Sequence, residues 1–148
     1  MANGTYSFSD CTATIAGATG IIEIGYGAGV AKDGITVSMT QPRNNLIAGA
    51  DGEVMHSLRM DKTGTITIRT LYNADVNAKL QAMLDLQALS SSAWGQNVIT
   101  IRNKGNDDVV VARYVAFQGQ PEKTFAEDGG QVEWAFDCGK IDVLTGTY

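Results

Sequence analysis

The residues of this chain that could do chemistry are few and poorly placed for it. Nucleophilic catalysis needs a base beside the nucleophile, most often a histidine, and the chain holds one, His56. It falls in an alternating run, with no Gly-x-Ser-x-Gly elbow anywhere in the sequence, so it reads as a strand residue facing a neighbour or solvent. A zinc site fails on number, because one His and two distant cysteines, Cys11 and Cys138, lack the paired spacing such sites use. The cysteines read as two buried reduced thiols, the other reading being a clasp between terminal strands. Gly25-Tyr26-Gly27-Ala28-Gly29 loosely matches a dinucleotide-binding loop. That loop opens a helix whose N-terminus meets pyrophosphate, and here Lys32-Asp33-Gly34 and another strand follow instead. Asp107 with Asp108, and Glu127 with Asp128, are neighbours at turns rather than carboxylates set across a cleft. No cofactor, metal set or activated nucleophile is expected, and an enzyme is the least supported class.

The scaffold that would position any site is β-rich. Its 148 residues are expected to form one domain, 1–148, which at that size buries about two-thirds of its unfolded surface without disulfides or metal. Charged residues make up 18% of the chain, below the roughly 25% of ordinary soluble domains, which suits a surface covered by copies of itself. A net charge of −5 argues against a protein that grips phosphates. The stretch Met1 to Asp10 has neither a basic nor an apolar leader region, and no run approaches the roughly 18 apolar residues of a membrane span. Synthesis and residence in the cytoplasm, with no membrane partner, are the expectation.

Period-two alternation recurs from end to end. It predicts strands over 6–15, 21–26, 35–41, 54–60, 65–72, 97–103, 108–117 and 131–142, with Asp61 to Gly64 a tight turn. One helix is predicted over 74–89, capped by Asn73, with Val76, Leu80, Met83, Leu84 and Gln87 along its apolar stripe. Such a chain closes into a small barrel or packs as two sheets with the helix on one flank. Trp134 alternates with Val132 and Phe136 and reads as core.

The break in this pattern is Pro42 to Glu53, longer than the two to five residues usual for a hairpin loop. Leu46, Ile47 and Ala48 sit in its middle. If it is an arm, each limb reaches roughly 20 Å at about 3.3 Å per residue. Apolar residues carried that far from their own core usually have a partner to bury them, so self-assembly leads over catalysis. The competing reading is a loop folded back on its own domain.

With strands, arm, helix and closing strand in this order, the chain resembles the tail tube proteins of contractile-tailed bacteriophages over essentially its whole length. The resemblance rests on Gly4-Thr5-Tyr6-Ser7-Phe8, on Gly64-Thr65-Ile66-Thr67-Ile68, and on Glu133-Trp134-Ala135-Phe136-Asp137-Cys138-Gly139-Lys140-Ile141-Asp142. It implies a mainly β subunit, a barrel or sandwich with one flanking helix and a long β-hairpin arm, whose sheets join between subunits of a hexameric ring. Rings would stack into a tube inside a contractile sheath, bounded by baseplate or initiator and terminator proteins, through which DNA passes into the host. The location implied is the virion tail, assembled in the host cytoplasm. The arm, Asn44, Asn45, Leu46, Ile47 and Ala48, would sit at the stacking interface. Glu23, Asp61, Asp107 and Asp108 are candidates for the lumen wall or its rims. A tube of a contractile injection particle or secretion system, without DNA cargo, is the related alternative. A monomeric barrel binding a ligand or carbohydrate near Trp94 or Tyr114 is the reading from a different class.

Overall fold

The computed structural model describes residues 4–147. Met1, Ala2 and Asn3, part of the N-terminal stretch read above, and Tyr148 lie outside the described residues. Strands dominate: β1 (Cys11–Gly17), β2 (Gly20–Glu23), β3 (Val30–Met39), β4 (Asn44–Ala48), β5 (Val54–Leu58), β6 (Gly64–Leu71), β7 (Asn97–Asn103), β8 (Asp108–Phe117) and β9 (Gln131–Leu144), with the helix α1 (Val76–Gln87) between β6 and β7. Seven of the strands form one antiparallel sheet in the order β2-β1-β7-β8-β9-β6-β3, curled into a half-barrel, and β4 pairs only with β5.

Alternation decides which face of the sheet is core. On β6, Gly64, Ile66, Ile68 and Thr70 are buried while Thr65, Thr67 and Arg69 are half-exposed. Opposite them on β9, Val132, Trp134, Phe136 and Cys138 are buried. Phe117 packs edge-on against Trp134, 6.0 Å between ring centroids, and tilted against Phe136 at 4.9 Å. Both β8 and β9 switch the face they bury at one place, where Tyr114 stands opposite Gly139. Tyr114 takes a left-handed φ of 55°, and a Cβ on Gly139 would lie 2.8 Å from the Tyr114 Cβ, so only glycine fits across from it.

The helix closes one end of this half-barrel. All five residues of its expected stripe are buried. At its start the Asn77 side-chain Oδ1 accepts from the Thr70 hydroxyl at 2.5 Å and from the Trp134 indole at 3.1 Å. At its end the Gln87 and Asn97 amides exchange two hydrogen bonds, 2.6 and 2.8 Å, with no exposure of either side chain. The helix therefore runs from the ends of β6 and β9 to the end of β7.

Several boundaries differ from the sequence expectation, each for a local reason. The first strand begins at Cys11, because Phe8–Asp10 form a 3-10 turn in which the Ser7 hydroxyl accepts from the Ser9 amide. The helix starts at Val76 rather than 74, with Asp75 and not Asn73 at the cap position, because the Asn77 side-chain Nδ2 donates to the carbonyls of Leu71 and Tyr72 and holds that segment as a turn. Tyr72, inside the strand predicted over 65–72, lies past the end of β6 and is exposed. Among the described residues there are nine strands rather than eight, because Asn44–Ala48 inside the break is itself a strand, and the run predicted over 54–60 pairs with it as the return limb of the arm instead of joining the main sheet. Asp61 to Gly64 is consequently a link from arm to sheet, not a hairpin turn.

The two thiols are unbonded and differ in setting: Cys11 is half-exposed and Cys138 buried, so the expectation of two buried thiols holds only for Cys138. Burial pushes the Cys138 thiol up to about 11, leaving almost no thiolate at neutral pH. A thiol reagent at pH 7.5 should modify Cys11 of the folded chain at least about a hundredfold faster than Cys138. Mass spectrometry of the labelled peptides measures it, and equal rates would mean the core opens readily.

Candidate functional site

The feature least explained by the fold is the β4–β5 ribbon. It leaves the sheet between β3 and β6, from the same end as the β7–β8 turn and the C-terminal end of β9. Its register pairs Asn44 with Leu58, Asn45 with Ser57, Leu46 with His56, Ile47 with Met55 and Ala48 with Val54. The tip is ordered by its own backbone, the Gly49 amide donating to Glu53 at 2.7 Å and Gly52 to Gly49 at 3.1 Å. The base is tied by the Arg59 guanidinium donating to the Gln41 amide oxygen and by the Arg59 amide on the Arg43 carbonyl at 2.8 Å. His56, the one candidate base, is hydrogen-bonded through Nδ1 to the Asn44 side-chain Nδ2 at 3.1 Å, across the two strands of the ribbon.

Exposure gives the ribbon its meaning. Leu46 is 57% exposed, Ile47 48%, Val54 60%, Met55 56% and Leu58 73%. The ribbon does not fold back on the core, whose buried cluster contains none of its residues. The sequence identified Leu46, Ile47 and Ala48 but missed Val54, Met55 and Leu58, whose signal was available: apolar residues at both odd and even positions, with no solvent face.

The opposite end of the sheet is also apolar on its surface. Tyr72, Leu86, Leu89, Trp94 and Phe125 are exposed there, Leu89 and Phe125 at 82% and 81%. Tyr72 and Phe125 contact each other edge-on at 6.1 Å, and three clefts of about 320, 320 and 120 Å³ meet at Tyr72. A larger cleft of about 480 Å³ lies along the free edge of β3, between Tyr6, Phe8 and Val37. These clefts are lined by neither Trp94 nor Tyr114, the residues around which a ligand pocket was expected.

The four acidic candidates do not form one group. Asp61, Asp107 and Asp108 lie at the arm-bearing end, whereas Glu23 ends the outer strand β2 and lines a cleft of about 380 Å³ beside the start of the helix. Asp61 accepts from the Thr63 amide at 2.9 Å, and this backbone hydrogen bond holds its carboxyl below the usual value. Asp107 adopts a left-handed φ of 61° in the turn and pairs with Arg102 at 3.3 Å. Asp108 accepts from the Gly146 amide at 2.8 Å and so anchors the chain beyond β9. No group of three or more His, Cys, Asp or Glu side chains among the described residues is placed to hold a metal ion.

A further charge cluster escaped the sequence reading. Asp142 is bridged by Lys62 and Arg113, each at 3.0 Å, which fastens the link from the arm to β8 and β9. The hydrogen bond from Lys62, aided by the charges of Lys62, Lys140 and Arg113, holds the Asp142 carboxyl below its ordinary value. A depressed folded value means that the stabilisation is complete above the unfolded value, about 3.9, and is lost as pH falls through the folded one. The difference in melting temperature between the parent and Asp142→Asn should thus be present at about pH 5 and shrink progressively as the pH is lowered through the folded value. A difference independent of pH would show that the bridge is not the cause.

Comparison with known proteins bears on this surface. A family model described as the bacteriophage PhiTE tail tube protein matches residues 2–146. No curated protein matches the sequence closely enough to count as a relative. Among solved structures, the chain is similar to one from the anti-feeding prophage baseplate, with a TM-score of 0.60, 9% identity, and 97% of each chain covered. It is also similar to the tube-terminating cap of the anti-feeding prophage, with a TM-score of 0.58, 9% identity, and coverage of 99% of this chain and 95% of that one. A third is the sheath/tube terminator of an extracellular contractile injection system in its extended state, with a TM-score of 0.56, 10% identity, and coverage of 95% and 96%. At such identities the likeness is one of fold.

Proposed function

Because the chain belongs to the bacteriophage PhiTE tail tube protein family, we propose that residues 1–148 act as one structural, non-catalytic domain that self-assembles into hexameric rings stacked as the inner tube of a phage tail. The observation that carries this reading is the ordered ribbon with five large apolar side chains exposed, which in a lone subunit is an unburied liability. In a stack, the arm residues Asn44, Asn45, Leu46, Ile47 and Ala48 contact the next ring. Arms leave one end of the subunit and exposed apolar residues occupy the other, so the contact is head-to-tail and propagates rather than closing on itself.

The tube conducts DNA into the host. Six copies at −5 carry 6 × (−5) = −30 per ring, and a wall without excess positive charge lets phosphates pass unheld. Asp61, Asp107 and Asp108 are assigned to the rim at the arm-bearing end and Glu23 to the wall. The partners are the sheath around the tube, a baseplate or initiator complex below and a terminator above. The tube forms in the host cytoplasm and resides in the virion. The fold likeness to contractile injection systems supports a second reading, the same tube without DNA cargo.

Negative-stain electron microscopy of the purified chain over a concentration series, with light-scattering mass, tests the proposal. Six-fold rings or hollow tubes are expected. A monomer at every concentration, unchanged by an added initiator complex, would overturn it.

A further inference from the structure

Resting on the tube reading, the ribbon's register carries a more specific conclusion. Side chains of directly paired residues share a face, so Leu46, Ala48, Val54 and Leu58 lie with Asn44 and His56 on one face, and Ile47 and Met55 lie with Asn45 and Ser57 on the other. Both faces carry large apolar side chains, and on each face they are about half-exposed or more. A ribbon lying flat on a neighbour would hide one face and leave the other in water. We infer that each arm is a two-sided wedge, inserted into the seam between two adjacent copies of this chain in the next ring.

Two strands of five residues with their side chains form a slab of roughly 17 × 10 × 10 Å. The surface of one copy meets one broad face of such a slab, whereas a seam between two copies covers both. The occupants follow from what a second copy presents at its other end: the exposed Tyr72, Leu86, Leu89, Trp94 and Phe125 supply apolar surface. Lys123, the only charged residue lining the cleft beside Trp134, complements the Asp51 and Glu53 carboxylates of the arm's tip. Each arm so placed joins two neighbours laterally as well as stacking on them.

The test compares two variants of the whole chain, Leu46→Ser/Val54→Ser/Leu58→Ser for one face and Ile47→Ser/Met55→Ser for the other. Circular dichroism should show both folded, since the arm lies outside the main sheet. Pelleting and electron microscopy should show the critical concentration for tubes raised about tenfold or more by each variant alone. Loss of assembly from one face only would overturn the wedge and leave ring stacking intact; parent-like tubes from both would overturn the wedge and the stacking role together. A second measurement does not depend on how the variants fold. Single cysteines Ile47→Cys and Leu58→Cys, in a Cys11→Ser background, should both become protected from maleimide when tubes form. Protection of only one of them would equally overturn the wedge.

Discussion

A subunit carrying Leu46→Asp with Ile47→Asp should fold and melt as the parent does, yet form no tubes at concentrations where the parent assembles completely. The two positions lie on opposite faces of the β4–β5 ribbon, so one carboxylate is placed on each. Exposed in the lone subunit, both are hydrated at no cost. Buried against apolar surface they must be neutralised or left unpaired, which costs about 3 kcal/mol or more per arm, at least a hundredfold in stacking affinity. A control separates loss of contact from loss of fold. Excising 42–60 and joining Gln41 to Asp61 through a short glycine-rich turn should preserve the melting temperature, because Met39 already pairs with Gly64 at the end of the β3–β6 ladder. Normal tubes from the double variant would refute the role given to the arm. An insoluble excision variant would mean that the ribbon supports its own domain.

The largest effect on stability is expected at the Gln87–Asn97 pair. Each amide is fully buried, and each satisfies both hydrogen-bonding functions of the other. Gln87→Met leaves the Asn97 amide buried without its partner, and Asn97→Leu leaves Gln87 only its 3.4 Å hydrogen bond to the Thr19 hydroxyl; each costs about 2–3 kcal/mol, a fall of about 5–10 °C in melting temperature for a chain of this length. The double variant removes both polar groups and should lose clearly less than the sum of the two single losses, a coupling of about 1–3 kcal/mol. Chemical denaturation of the four proteins measures this cycle. Strict additivity would show that the amides act independently and that the helix end is held by its apolar contacts alone.

Much of this architecture was legible because it is periodic. The β7–β8 hairpin falls where alternation placed it, and the helical stripe from Val76 to Gln87 is buried as its spacing requires. What was not legible is set by pairing. Alternation identifies Val54 to Leu58 as a strand but cannot say which strand it joins, and so the return limb was read as a strand following the arm rather than as part of it. Gln87 was visible on the buried stripe, but nothing local indicates that Asn97, ten residues on, answers it. The Asp142 bridge likewise needed the third dimension, since Lys62 and Arg113 are 80 and 29 residues away. Of the candidate site, the leading limb of the arm was readable from its apolar centre. The receiving surface was not, because Tyr72, Leu89 and Phe125 are scattered in sequence and meet only at one end of the fold.

The position of β9 has a consequence for the order of events during synthesis. β9 pairs with β6 through its first half and with β8 through its second, and it is the sole link in the main sheet between β6-β3 and the other four strands. It is also the last of the described strands in chain order. Until residues 131–144 leave the ribosome, the two parts of the sheet have no common strand, and Ile66, Ile68 and Phe117 lack the Trp134 and Phe136 that join them in one core. Long-range pairing of this kind is slow and leaves intermediates exposed. The arm, translated early, therefore projects from a subunit that becomes a rigid body only on completion, so nascent or truncated chains are poor material for a growing polymer.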